Sequence, residues 1–153
     1  MNIIIAGSRS LIDYNKLKIH CLASITELNK IFTFNMDEIT IISGNCRKGA
    51  DKLGEIFAKE MGFPIRSFPA DWTELHPVND KDGSPELCIR GYTKNGIPYN
   101  KLAGRQRNNK MARYCFATNS ALFAFWDYKS PGTKHMIEQA RLYNIHTIII
   151  DIR

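Results

Sequence analysis

The strongest constraint on this chain is a near-strict alternation of short apolar runs with longer amphipathic stretches. Residues 2–6 (NIIIA) are β-branched and apolar throughout and close on Gly7, which predicts a buried strand. Residues 38–43 (EITIIS) repeat the pattern and again close on a glycine. Residues 64–68, 121–126 (ALFAFW) and 146–152 (HTIIIDI) complete a set of five strands. The intervening stretches read as helices. Residues 13–34 carry apolar side chains at 17, 19, 22, 25, 28, 31 and 32, mostly three or four apart, with Asp13 as N-cap. Residues 49–61 form a second helix, closed by Gly62 with Pro64 just beyond. Residues 103–118 and 133–143 supply the third and fourth. Apolar strands joined by helical crossovers predict a parallel sheet covered on both faces. Right-handed crossovers then give an α/β, Rossmann-like, doubly wound fold with strand order 3-2-1-4-5.

With 153 residues, the chain is expected to form a single domain over 1–153. Its composition, 44% apolar and 24% charged, is that of a globular protein rather than a disordered one. Cys21, Cys46, Cys88 and Cys115 show neither CxxC nor zinc spacing, so they are read as reduced thiols in a cytoplasmic protein. The opening MNIIIAG lacks the basic flank of a signal peptide, and no run is long enough to span a membrane. Nothing in the spacing signals a metal or a cofactor. A net charge of +6 favours anionic partners, although a surplus of surface lysine gives the same sum.

The alternation is interrupted once, at residues 73–102. HPVNDKDGSPE has loop composition, and LCIRGYTKNGIPYNK suits a hairpin turning at Asn95-Gly96. An insertion of this length in a compact domain is usually a lid or a binding loop. Arg90, Tyr92, Lys94 and Tyr99 suit it for stacking and phosphate contact, either over a ligand or as an arm onto a neighbouring subunit.

In open α/β sheets, ligands bind beyond the carboxyl ends of the strands. The first strand delivers Gly7, Ser8, Arg9 and Ser10 to that edge, and the second delivers Ser43, Gly44, Asn45, Gly49, Ala50 and Asp51. The third delivers Asp71 and Trp72, and the fourth Trp126, Asp127, Ser130, Gly132 and Thr133. Glycine lets the backbone approach a phosphate, and the helix that follows aims its N–H groups at it. The segment GNCRKGAD is neither GxxxxGK[ST] nor GxGxxG, so neither a P-loop NTPase nor ordinary dinucleotide binding is signalled. Arg107 and Asn108 sit among Arg105, Lys110 and Arg113 near the start of the third helix. Cations there oppose the helix dipole unless an anion lies between them. Trp72 and Trp126 stand at loop edges, where a ring can stack on a base. Asp51 and Glu55 are the candidate catalytic carboxylates: Asp51 suits ribose hydroxyls or an oxocarbenium-like charge, while Glu55 also reads as a surface partner of Lys59.

IIAGSRS, SGNCRKGADKLGE, PADW, AGRQRNNKMA and AFWDYKSPGTKHMI, in that order, resemble the motif set of the YspA-type branch of the SLOG superfamily, which is common in bacteria and their phages. That pattern runs approximately GSR, SGGARGAD, PADW, AGPIRN-x-x-M and FWDGxSxGT. The resemblance implies a Rossmann-like pocket for nucleotides or their derivatives, and a homo-oligomer. The chain departs from the pattern at Asn45, Arg105 and Gln106. SLOG phosphoribohydrolases carry PGGxGTxxE, whereas here Met136 holds the place of that glutamate and Glu138 falls two residues further on. Three functions therefore stay open. The first is a sensor or sequestering module for a nucleotide-derived ligand. The second is an N-glycosidic hydrolase acting on a nucleotide. The third is a single-stranded nucleic-acid binder using the basic charge and the insertion.

Overall fold

A computed structural model describes residues 1–75, 78–79, 85–86 and 88–153. Five strands form one parallel sheet: β1 (Asn2–Gly7), β2 (Thr40–Ser43), β3 (Ile65–Ser67), β8 (Ser120–Trp126) and β9 (His146–Asp151). Their order is β3-β2-β1-β8-β9, the expected 3-2-1-4-5 once the short strands of the insertion are numbered in. The helices are α1 (Tyr14–Ile31), α2 (Ala50–Met61), α3 (Ala103–Cys115) and α4 (Pro131–Leu142).

The period of two along each strand divides the interior into two cores. Ile3 and Ile5 of β1 join Phe123 and Phe125 of β8 on one face, against Leu17, Cys21 and Leu28 of α1 and Phe57 of α2. Ile4 and Ala6 join Leu122 and Ala124 on the other, against Met111 and Ala112 of α3 and Met136, Ile137 and Ala140 of α4. Register pairs Ile4 with Ile42 on one side and with Leu122 on the other, so central β1 is buried on both faces. Helices therefore cover both sides of the sheet, as the continuous apolar runs require.

Several boundaries differ from those expected. Asp13 caps α1, its Oδ1 accepting from Lys16 N at 3.0 Å, but the helix stops at Ile31 rather than 34. Phe34 is buried beyond the helix end, outside any regular element, so an apolar residue there reports burial rather than helix. A 3-10 turn over Met36–Glu38 takes the start of the expected second strand. β3 keeps three residues of the five expected. α3 ends at Cys115, and Ala117 lies at φ 59° just beyond it. α4 begins at Pro131, two residues early, because Ser130 Oγ accepts from Thr133 N at 3.3 Å and proline is well suited to the first helical position.

Between β3 and α3, β4 (Val78–Asn79) pairs antiparallel with β5 (Pro85–Glu86), and β6 (Arg90–Tyr92) with β7 (Pro98–Asn100). The second pair is the expected hairpin. Gly96 N bonds Thr93 O at 2.9 Å, Thr93 N bonds Ile97 O at 2.9 Å, and Gly96 sits at φ 77°. This is a turn followed by a left-handed glycine rather than a two-residue Asn-Gly loop. Most of the HPVNDKDGSPE segment lies outside the described residues. Among the described residues, no helix is long and apolar enough to cross a membrane.

Candidate functional site

A cavity of about 540 Å³ opens at the carboxyl ends of β1, β2 and β8. Its apolar part comes from Ala6 and from Met111 and Met136, one from each helix on that face of the sheet. The loop after β1 contributes Gly7, Arg9 and Ser10, and the one after β2 contributes Cys46 and Asp51. Trp72 comes from the turn after β3. Lys101, Gly104, Arg105, Arg107 and Asn108 line the side where the insertion runs into α3. Asp127, Ser130, Pro131, Gly132 and Thr133 line the loop from β8 into α4.

Hydrogen bonds tie these loops together. Ser8 N donates to Phe125 O at 2.9 Å, and Ser8 Oγ accepts from Asp127 N at 3.2 Å, locking the first loop to the fourth. Asp127 Oδ1 accepts from Lys129 N at 2.9 Å and Ser130 N at 2.8 Å, and Oδ2 from Ser10 Oγ at 3.3 Å. The two backbone donors first, and the serine hydroxyls after them, hold the Asp127 pKa at about 2.

The second loop needs its glycines for close approach. Gly49 lies at φ 72°, and a Cβ there would fall 2.6 Å from Arg9 Cα. A Cβ on Gly44 would fall 2.6 Å from both Arg107 Cζ and Asp51 Oδ2, so the glycine makes room for that pair. Arg107 Nη1 donates to Gly44 O and lies 3.6 Å from Asp51 Oδ2. Arg107 Nε donates to Asn108 Oδ1 at 3.0 Å, and Asn108 Nδ2 donates to Gly132 O at 3.1 Å. A guanidinium only donates and a carbonyl only accepts, which fixes the orientation of the Asn108 amide. His135 Nδ1 lies 3.3 Å from Asn108 Nδ2, an arrangement that suits a neutral imidazole accepting at Nδ1. Burial lowers the His135 pKa, and Arg105 lowers it further. Asp51 is buried, and desolvation raises its pKa against the opposing pull of Arg107 and of the Cys46 N–H.

A family model described as YAcAr, the YspA, cpYpsA-related SLOG family, matches residues 1–75. Residues 1–75 are thereby placed with the YspA-related SLOG family. Comparison with curated proteins gives no match, and comparison with solved structures gives none. SLOG membership suggests nucleotide-related ligands in general terms. The match spans the GSR, SGNCRKGAD and PADW segments, while the AGRQRN and FWDYKSPGT segments lie beyond it. The fold brings residues from all five segments to one cavity.

Within this SLOG frame the sequence-predicted residues divide by position. Gly7, Arg9, Ser10, Asp51, Trp72, Arg107, Asn108, Asp127, Ser130, Gly132 and Thr133 line the cavity. Ser8, Ser43, Gly44, Asn45, Gly49 and Ala50 are not among its lining residues, and several of them shape the loops behind it. Ser43 Oγ, for example, accepts from Asn45 N at 3.0 Å and donates to Glu55 Oε1 at 2.8 Å. Glu55 is thus engaged below the loop, not in the cavity. Asp71 caps its own turn, accepting from Thr73 N at 3.1 Å and Glu74 N at 3.1 Å. Trp126 stacks on Tyr128 with ring centroids 4.4 Å apart and donates to Ser130 O at 3.2 Å, bracing the β8–α4 loop.

Sequence reasoning missed Ala6, Cys46, Lys101, Gly104, Arg105, Met111, Pro131 and Met136 as lining residues. Arg105 belongs to the basic cluster already noticed on α3, so a signal existed. Lys101 had none, because its place depends on how the insertion returns. The methionines have the spacing of core residues, and both are 1% exposed. Among the described residues, no group of acidic, His and Cys side chains has the geometry to hold a metal ion.

Proposed function

We propose that this chain binds a nucleotide or a nucleotide-derived small molecule through its phosphate, as a sensor or sequestering module. The observation that carries this reading is the charge distribution in the cavity. Arg9, Lys101, Arg105 and Arg107 line it together with the first turn of α4. The two carboxylates there, Asp51 and Asp127, are both already engaged by protein donors. Cations and a helix N-terminus converging on one concave space suit a phosphate group. The free state of all four cysteines is in keeping with a cytoplasmic setting.

N-glycosidic hydrolysis is the second reading, favoured by one observation: Asp51 is a buried carboxylate inside the cavity. Against it, Glu55 faces elsewhere, and Met136 brings a thioether to the cavity at the position of the phosphoribohydrolase glutamate. The test is calorimetric titration with nucleoside monophosphates, followed by chromatography of the recovered ligand. Arg9 and Arg105 are exposed, so an Arg9→Ala/Arg105→Ala protein should fold normally. It should bind the phosphate at least about tenfold more weakly, given roughly 1.5–3 kcal/mol for each charge-assisted hydrogen bond. Unchanged affinity overturns the binding site; free base in the recovered ligand favours the hydrolase.

A further inference from the structure

The two tryptophans of the chain sit at the rim of the same sheet edge but in opposite circumstances. Trp126 is consumed by the fold: its ring stacks on Tyr128, whose ring in turn lies 4.3 Å from the Arg153 guanidinium carbon, and its indole N–H is bonded. Trp72 lines the cavity and remains 43% exposed. Its exposed indole, at the wall of that cavity, is available for stacking by a ligand bound there.

The backbone beneath Trp72 is nevertheless firmly held. Trp72 O accepts from Asn100 N at 2.8 Å, and the preceding Asp71 carboxylate closes the turn through Thr73 and Glu74. Asn100 is itself 1% exposed; its Oδ1 accepts from Leu102 N at 2.9 Å and its Nδ2 donates to Gln106 Oε1 at 2.8 Å. The returning strand of the insertion is therefore pinned both to Trp72 and to the start of α3. Tyr99 meets the indole at 6.4 Å and 60°, an inclined contact rather than a covering stack. At Gly104 a Cβ would already touch Trp72 Cη2 at 3.5 Å, so glycine keeps larger side chains off that edge of the ring. Lys101 and Arg105 line the cavity on either side of Gly104 in sequence.

We propose that Trp72 is the platform on which the nucleobase of the ligand stacks, with Lys101 beside it as a donor to the base edge. This deepens the reading given under Proposed function and rests on it. A rigidly mounted, open indole beside cations recognises a planar heteroaromatic group attached to an anion. The insertion thereby acquires a role: its returning strand pins Trp72 and supplies Lys101 beside it, while the loops after β1, β2 and β8 hold the phosphate. A ligand bearing ribose and phosphate but no base loses this wall.

The experiment compares ribose 5-phosphate with the four common nucleoside 5′-monophosphates on the parent, Trp72→Ala and Trp72→Phe proteins, by calorimetry and by tryptophan fluorescence. The parent should bind at least one nucleotide about 10- to 100-fold more tightly than ribose 5-phosphate, as stacking on one aromatic ring contributes. Trp72→Ala should remove most of that gap, weakening nucleotide binding far more than ribose 5-phosphate binding, while Trp72→Phe keeps most of it. Nucleotide, but not ribose 5-phosphate, should quench the parent's fluorescence, and Trp72→Phe should abolish the quenching. Equal loss of both ligands in Trp72→Ala, or no preference for nucleotide in the parent, overturns the platform while leaving the phosphate site standing. Failure of the parent to bind any of the five compounds overturns the phosphate reading, and the platform with it.

Discussion

Arg107→Ala tests the electrostatic centre of the cavity independently of any ligand. The Asp51 side chain is 8% exposed and that of Arg107 17%, and Arg107 is the largest of the influences that lower the Asp51 pKa. Removing the guanidinium leaves a buried carboxylate supported by the Cys46 N–H at 3.3 Å. Breaking one partner of a buried pair costs roughly 3–5 kcal/mol when the remaining charge is retained. The carboxyl can escape by taking up a proton, and this caps the cost. From an unfolded-state pKa near 3.9, protonation costs about 4 kcal/mol at pH 7 and about 1.5 kcal/mol at pH 5. Because burial already raises the Asp51 pKa in the parent, the increment falls below that cap, at about 2–4 kcal/mol at pH 7. The sign follows from linkage. A carboxyl whose folded pKa lies above its unfolded one costs nothing below the unfolded value. The cost grows with rising pH and levels off above the folded value. Urea unfolding at pH 5, 6 and 7 should therefore show a loss that grows with pH, and Arg107→Ala/Asp51→Asn should recover most of it. A loss independent of pH, or no recovery in the double variant, would refute the pairing argument and reduce Arg107 to a packing role.

Two further outcomes follow from the same geometry. Gly44→Ala drives a methyl group into Arg107 and Asp51, and should cost about 1–3 kcal/mol in chemical denaturation as an overpacked site; an unchanged midpoint would mean that the pair relaxes freely. Thiol labelling of the native protein at pH 8 should modify Cys46 and Cys88 and spare Cys21 and Cys115, since burial raises the Cys21 pKa and pushes that of Cys115 up to about 12; native labelling of either buried thiol would contradict the packing of α1 or α3.

The sheet was legible because its signal is redundant. NIIIA, TIIS and ALFAFW are buried on both faces, and a run that must be apolar at every position reads the same whichever register it takes. Helix ends were less legible because apolar spacing reports which side chains face the core, and a chain leaving a helix can keep one inside. Phe34 does so from the irregular segment past α1. The hairpin was found from Asn95-Gly96, but the turn type was not, because glycine at φ 77° serves a left-handed bulge as well as a two-residue loop.

The site shows the same division more sharply. That four strand ends would converge follows from topology alone. What each side chain does there depends on partners distant in sequence. Asp51 and Glu55 stand one helical turn apart and carry the same chemistry, yet Asp51 meets Arg107 inside the cavity and Glu55 meets Ser43 behind it. Trp72 and Trp126 both follow or end a strand at a loop, yet one is sealed by Tyr128 and the other is held open by Asn100 and Gly104. In each pair the deciding contact comes from another element: α3 and β2 for the carboxylates, the returning insertion and the β8–α4 loop for the tryptophans. Sequence motifs therefore locate the cavity, while the crossing contacts assign its chemistry. Arg105 and Met136 show what those contacts add: both line the cavity, the one bringing a cation to the side on which Trp72 stands and the other an apolar thioether to its floor.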